Sequence, residues 1–201
     1  MIYIVLVNGK PESGKTTFEE HCLYYADSTK SAYAEMHSSI DYIKDIYKKL
    51  GWNGIKTDKA RKDLSILKQI WIDNCNGPLN AIVKRAMDLR YDDDYLSKNK
   101  DYIVFTDVRE ESEIIKYKEA FEGLEHIGIR CIALFVLRPD YDSLEYNNKS
   151  DNNVGSNMSL YDYIINNNDD INHLMNEVNA FMYRLLKGEI KNGTRCIITE
   201  N

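Results

Sequence analysis

The run Gly9-Lys10-Pro11-Glu12-Ser13-Gly14-Lys15-Thr16 constrains this chain more than any other part of it. It fits G-x-x-x-x-G-K-[ST] at every fixed position, a pattern that accident produces in roughly one chain per hundred of this length. Before it stands Ile2-Tyr-Ile-Val-Leu-Val7, short, apolar and β-branched, which reads as a strand buried on both faces. After it, from Thr16 to about Ala26, the residues suit a helix. Strand, loop and helix in that order are the context that makes the pattern a phosphate-binding loop. Glycines let the backbone curl so that successive N–H groups point inward as an anion nest, and the helix adds the positive end of its dipole. On that footing Lys15 reaches the β- and γ-phosphates of a nucleotide and Thr16 offers its hydroxyl to Mg²⁺.

The rest of the chain repeats the alternation. Ser31–His37 reads as a weaker strand, and Asp101-Tyr-Ile-Val-Phe-Thr-Asp107 and Arg130–Leu137 as buried ones, with Tyr161–Ile165 a short one. Between them the spacing predicts helices over Asp41–Leu50, Asp58–Asn74, a stretch begun at Pro78, Glu110–Phe121 and Ile171–Leu186. Strands alternating with helices mean an α/β fold with a mostly parallel sheet. Pro139–Ser159, rich in Asn and Asp and without periodicity, reads as a mobile loop. The last dozen residues add an edge strand (Cys196-Ile-Ile-Thr199) or trail free. There is no internal repeat.

A phosphate loop of this kind works with a carboxylate near the metal, at the end of an apolar strand. Asp107 closes such a strand, with helix capping as its plainer role. Arg109 follows at the carboxyl edge, where ligands bind in open α/β sheets, unless it is solvated surface charge.

Together these pieces resemble the nucleoside monophosphate kinase superfamily, most closely the bacteriophage-type deoxynucleoside monophosphate kinases and more distantly animal-type phosphomevalonate kinase. The matching stretches are Gly9–Thr17, Ser39–Lys44, Thr106–Glu113, Leu137–Pro139 and Tyr161–Asn168. The resemblance implies a cytoplasmic enzyme that moves the γ-phosphoryl group of ATP, with Mg²⁺, onto a small phosphorylated acceptor. It implies one P-loop domain over residues 1–201, three layers α/β/α around a five-stranded parallel sheet of order 2-3-1-4-5. It also implies a helical acceptor-binding insertion over about residues 40–95, a lid over about 139–159 and a tail over 189–201. ATP would lie on Gly9, Lys10, Glu12, Ser13, Gly14, Lys15, Thr16 and Thr17, with Asn167 near the adenine edge. Thr16 and Asp107 would hold the metal, Lys15, Asp107, Arg109 and Arg138 would serve catalysis, and Arg61, Lys62 and Arg109 the acceptor's phosphate. The lid departs from the family pattern: between Pro139 and Asn168 the one cation is Lys149, which leaves Arg138 at the lid's root for the phosphoryl clamp.

Other readings compete. Asn148-Lys149-Ser150-Asp151 matches the guanine-reading N-K-x-D of GTPases, but it stands some ten residues past its strand, and Asp107 is not followed by D-x-x-G. An acceptor-free ATPase usually adds a Glu beside the strand-end Asp, and here Val108 stands there. A different phosphorylated acceptor, such as phosphomevalonate or a coenzyme precursor, is the nearest alternative within the kinase reading.

Composition narrows the partners. Lys plus Arg number 26 against 32 for Asp plus Glu, a net charge of −6, which gives no field for collecting onto a nucleic-acid backbone. No apolar run approaches the ~20 residues of a membrane helix, and Met1 leads straight into a strand with no basic leader. Cys22, Cys75, Cys131 and Cys196 lie far apart and read as reduced small hydrophobes, which argues against zinc. Asp92-Asp93-Asp94 reads as a solvated loop. The aromatics read as packing, with Tyr42, Tyr47 and Trp71 candidates to stack on an acceptor base. Monomer and homodimer are equally compatible with the sequence.

Overall fold

A strand that is apolar at every step has to be covered on both sides. β1 (Ile2–Asn8) is buried along its whole length and lies at the middle of the sheet. This is a computed structural model, and it describes residues 1–38, 40–55, 57–93, 99–139, 154–168 and 170–190. β3 (Asp101–Asp107) and β4 (Ile129–Leu137) flank β1, in register Val7 with Asp107 and with Leu134. β2 (Ala32–His37) extends the sheet beyond β3, and β5 (Tyr163–Asn166) beyond β4. All pairs are parallel and the order is 2-3-1-4-5, as expected. Every strand therefore ends on the same edge.

Because strand residues alternate in direction, the sheet has two apolar faces. Tyr3, Val5, Val7, Ile103 and Phe105 pack with Phe18 and Cys22 of α1 (Lys15–Thr29) and with Val178 and Phe181 of α6 (Ile171–Leu186). Ile2, Ile4, Leu6 and Val104 pack with Ile82 and Ala86 of α4 (Gly77–Arg90) and with Ile114 and Phe121 of α5 (Glu111–Phe121). Phe18 sits edge-on to both Phe105 and Phe181, with centroids 6.4 and 5.4 Å away, so the start of α1 is locked to the sheet.

Between β2 and β3 run α2 (Asp41–Lys49), α3 (Asp58–Cys75) and α4, where helices are expected. Their aromatics pair with one another: Tyr42 with Trp71 at 4.8 Å and Tyr47 with Trp52 at 5.2 Å. α3 turns into α4 through Asn76 in the left-handed region (φ 47°), and the Trp71 indole fills the space where a side chain on Gly77 would stand.

The elements differ from expectation mainly at their ends. α1 runs on to Thr29, stopped by left-handed Lys30 rather than by a glycine or proline. α5 is capped by Glu110, whose carboxylate takes the Glu113 amide while Glu113 returns the favour, so Asp107 is not its cap. β5 begins at Tyr163 rather than Tyr161, because Asp162 turns inward. Its carboxylate accepts from Ala133 N at 2.8 Å and pairs with Lys118 at 2.9 Å. Much of the expected lid (140–153), the N-K-x-D stretch, Asp94 and the tail from 191 lie outside the described residues. Within the expected loop, Met158–Leu160 forms a 3-10 turn. Among the described residues no helix is long and apolar enough to cross a membrane.

Candidate active site

The phosphate loop takes its shape from three left-handed or glycine-only residues. Gly9 leaves β1 at φ 154°, and a Cβ there would lie 2.6 Å from both Ser13 Oγ and Val136 O. Gly14 opens α1 at φ 95° with its α-carbon against the Asn167 amide. Glu12 adopts φ 64° without being glycine, a strain on the order of 1–2 kcal/mol. The ammonium of Lys15 donates to the carbonyls of Gly9 at 2.6 Å and Lys10 at 2.8 Å, closing the loop around itself.

Three side chains tether the loop from outside. Asn8, buried at the end of β1, accepts from Gly9 N at 2.6 Å and donates to Arg109 O at 3.4 Å. Asn167 donates to Ser13 O at 2.8 Å, and Arg138 to Glu12 O at 3.3 Å. The structure thus gathers Gly9, Glu12, Ser13, Lys15, Arg109, Arg138 and Asn167 into one region. Asn8 goes unnoticed in the sequence; its signal is a polar residue that closes an apolar strand directly before the glycine.

The loop fits a polyphosphate. Ser13 is 1% exposed, and its hydroxyl, facing into the turn, has no partner. Such a buried donor is costly unless something satisfies it. Thr16 and Thr17 follow on the first turn of α1, Thr16 exposed.

Asp107 ends β3 on the face that Ile103 and Phe105 share, toward α1. Its Oδ1 is buried and unpartnered. Burial raises its pKa, an effect that Lys15, then Arg109, draw back down; Asp41 raises it and Lys44 lowers it. A loop helix, the turn after β3 and the first turn of α2 therefore bring charge to one carboxylate. Glu19 lies one turn beyond Lys15 on the inner side of α1, 2% exposed, with Oε2 unpartnered. Burial, and next Asp107, push it up to about 8.

Of the acceptor residues named from the family pattern, Arg109 is here and Arg61 and Lys62 are exposed on the first turn of α3. The insertion contributes two other lysines. Lys44 acts on Asp107 and is held by Asp41 at 2.7 Å. Lys68 reaches from α3 to Glu113 at 3.1 Å, and the other Glu113 oxygen takes the amides of Arg109 and Glu110 at 3.3 Å each. α3 is thereby braced against the Arg109 turn. The signal for Lys68 is a lysine on the apolar stripe, four residues past Leu64 and three before Trp71.

Among the described residues no three His, Cys, Asp or Glu are grouped to hold a metal. A divalent cation here has to take a hydroxyl, water or phosphate oxygens besides the carboxylates, the usual ligand set of Mg²⁺ with a nucleotide. The orphaned Asp107 oxygen, with the Thr16 hydroxyl on the adjoining helix turn, fits that demand.

The sheet order, the loop between β1 and α1, and helices on both faces define a P-loop-type three-layer α/β fold. No family model matches the chain, and no curated protein matches it.

Proposed function

We propose that the protein transfers the γ-phosphoryl group of ATP to a small phosphorylated acceptor, most directly a (deoxy)nucleoside monophosphate. The observation that carries this is the supply of positive charge around Asp107. Lys15 belongs to the phosphate loop, while Arg109 and Lys44 come from a different strand end and a different helix. The loop's own amides and Lys15 suffice for one polyphosphate. Arg109, with Lys44 and its partner Asp41 beside it, brings positive charge to Asp107 from outside the loop, in a chain of net charge −6, and answers a second anion.

The chain's groups divide the work accordingly. Gly9–Thr16 holds the β- and γ-phosphates, with Lys15 leaving the Gly9 and Lys10 carbonyls for phosphate oxygens. Thr16 and Asp107 hold Mg²⁺, which neutralises charge on the phosphates. Arg109 and Lys44 bring the acceptor's phosphate oxygen in line with the γ-phosphorus, at about 3–3.5 Å. Arg109's guanidinium meets two oxygens at once. Arg138, tied to Glu12, stands at the rim of the loop, in place to contact the group in transfer. Asn167, which braces Ser13, sets the loop's shape as well as the edge near the base.

Hydrolysis without an acceptor is the weaker reading. Val108 is buried where an ATPase places a glutamate, and both oxygens of Glu113 are engaged. The deciding experiment is ADP release from ATP–Mg²⁺ across all ribo- and deoxynucleoside monophosphates, with phosphomevalonate included. One acceptor that raises turnover at least a hundredfold over ATP alone is the expected result. Equal ADP release with and without every acceptor would favour an ATPase module.

A further inference from the structure

We infer that Glu19 belongs to the divalent-cation site, as a second carboxylate that faces the cation from α1 opposite Asp107. The inference rests on the phosphate loop being a nucleotide site, and it adds a ligand which the G-x-x-x-x-G-K-T pattern does not contain.

Helix geometry brings Glu19 to the right place. It stands three residues after Thr16 and four after Lys15, so the three share one side of α1. Helical side chains lean toward the N-terminus, which directs the Glu19 carboxyl back up to the level of Thr16 and the loop. From the sheet, Asp107 projects toward the same helix, because it shares a face with Phe105, and Phe105 touches Phe18. Asp107 acts on Glu19 more strongly than any other charge, and Lys15 is next.

Solvation decides what the pair is for. Glu19 is 2% exposed beside Phe18 and Cys22, and its Oε2 has no hydrogen-bond partner; nor does the buried Oδ1 of Asp107. No hydrogen bond joins the two residues. A buried carboxyl without a partner is expensive, and a leucine or methionine would fill that place in the core at no such cost. A divalent cation supplies what both oxygens lack. It also offsets the repulsion that opposes ionising both carboxyls together, a role one lysine four residues away fills only in part.

The test compares wild type with Glu19→Gln, which keeps the side chain's shape and removes its ability to ionise onto a cation. Mn²⁺ affinity is read by electron paramagnetic resonance at saturating ADP, and ADP affinity by calorimetry in EDTA. Mn²⁺ affinity is expected to fall at least tenfold in Glu19→Gln, with ADP affinity in EDTA changed less than twofold. Should Glu19→Gln fail to fold, Glu19→Asp, which withdraws the carboxylate by one methylene, is expected to show the same loss in smaller degree. Unchanged Mn²⁺ affinity in the variant that folds overturns the inference and leaves the nucleotide site standing. Failure of wild type to bind ADP in EDTA overturns both.

Discussion

Asn167 donates its side-chain amide to the carbonyl of Ser13 at 2.8 Å, across 154 residues of chain. Its own backbone N–H goes to Leu137 O at 2.7 Å, so the bond is aimed from the end of β5 and braced by β4. The same amide occupies the space that a side chain on Gly14 would need. The middle of the phosphate loop is therefore shaped by the far edge of the sheet and not by its own sequence alone.

Removing that brace is expected to loosen the loop without unmaking the fold. Asn167→Ala leaves Ser13 O without its buried donor, a loss of about 1–3 kcal/mol. Thermal melting should show a modest fall in Tm, and calorimetry a fall in ADP affinity of about tenfold. Asn168→Ala, at the exposed neighbour, supplies the control and should change neither. Equal ADP affinity in Asn167→Ala and wild type would mean the loop holds its shape unaided.

The sequence made the sheet legible because its three inner strands have apolar middles broken only near their ends, and a run such as Ile2–Val7 has nowhere to go but between other strands. The loop was legible for a related reason: glycine is needed where the backbone turns left-handed or packs too closely for a Cβ, as at Gly9 and Gly14. The tethers were harder to see. Asn8, Lys68 and Glu19 matter through partners distant in the chain, and no local periodicity announces Arg109 O, Glu113 or Asp107 as those partners. Arg61 and Lys62 show the converse. Two adjacent cations at a helix start look like a phosphate site; both lie exposed there, while Lys68, two turns further along the same side as Arg61, is the lysine that meets Glu113. Asp162 moved the start of β5 because a buried carboxylate takes the Ala133 amide, a contact no alternation pattern encodes.

Lys15 carries the sharpest kinetic expectation. Its ammonium binds two loop carbonyls, and in the proposed reaction it is the group beside which negative charge develops during transfer. Lys15→Ala is expected to lower kcat by about a hundredfold or more, as loss of a preorganised charge does. Circular dichroism and Tm should change little, because the side chain is half-buried and packs no core. Turnover within a few-fold of wild type would sink the phosphoryl-transfer assignment.

Glu35 gives a stability test independent of any ligand. On β2 it accepts from Arg85 Nε at 2.7 Å and Nη2 at 2.8 Å, from the Tyr102 hydroxyl at 2.9 Å, and from His37 Nε2 at 3.1 Å. Burial alone would raise its pKa, but these hydrogen bonds outweigh it and hold the carboxyl down to about 2, against an ordinary 4.5. A lowered folded-state value means stability that is present above about pH 4.5 and lost as the pH falls through that value toward 2. Glu35→Gln is expected to cost about 2 kcal/mol at pH 7, since it breaks a partly buried ion pair. Urea denaturation at several pH values should show the gap to wild type closing below about pH 4. A gap that stays constant down to pH 2 would refute the assignment.

Arg109 and Lys44 separate the two halves of the proposed site. Both act on Asp107, as Lys15 does, but neither belongs to the loop. Arg109 is exposed on the turn after β3, its backbone held by Asn8 from one side and by Glu113 from the other, so its root is fixed while its side chain lies at the surface. Lys44 rides on α2, which the Tyr42–Trp71 stack joins to α3. If the ATP phosphates are satisfied by Gly9–Thr16 and Lys15, the charge of Arg109 is left for the acceptor, as is that of Lys44 when it exchanges Asp41 for a phosphate oxygen. Arg109→Ala is then expected to raise the acceptor KM, lower kcat, or both, for a total loss in kcat/KM of about a hundredfold, the effect of removing a charge-assisted fork. Lys44→Ala should show a smaller loss, because an ammonium offers a point charge and no fork. ATP affinity measured alone by calorimetry should stay within about twofold of wild type in both variants. The tryptophans Trp52 and Trp71 both lie between β2 and β3, so acceptor binding has a fluorescence signal of its own, which Arg109→Ala should weaken at a fixed acceptor concentration. ATP binding that collapses in Arg109→Ala while the acceptor KM holds steady would place Arg109 with the donor and leave the second anion without its guanidinium.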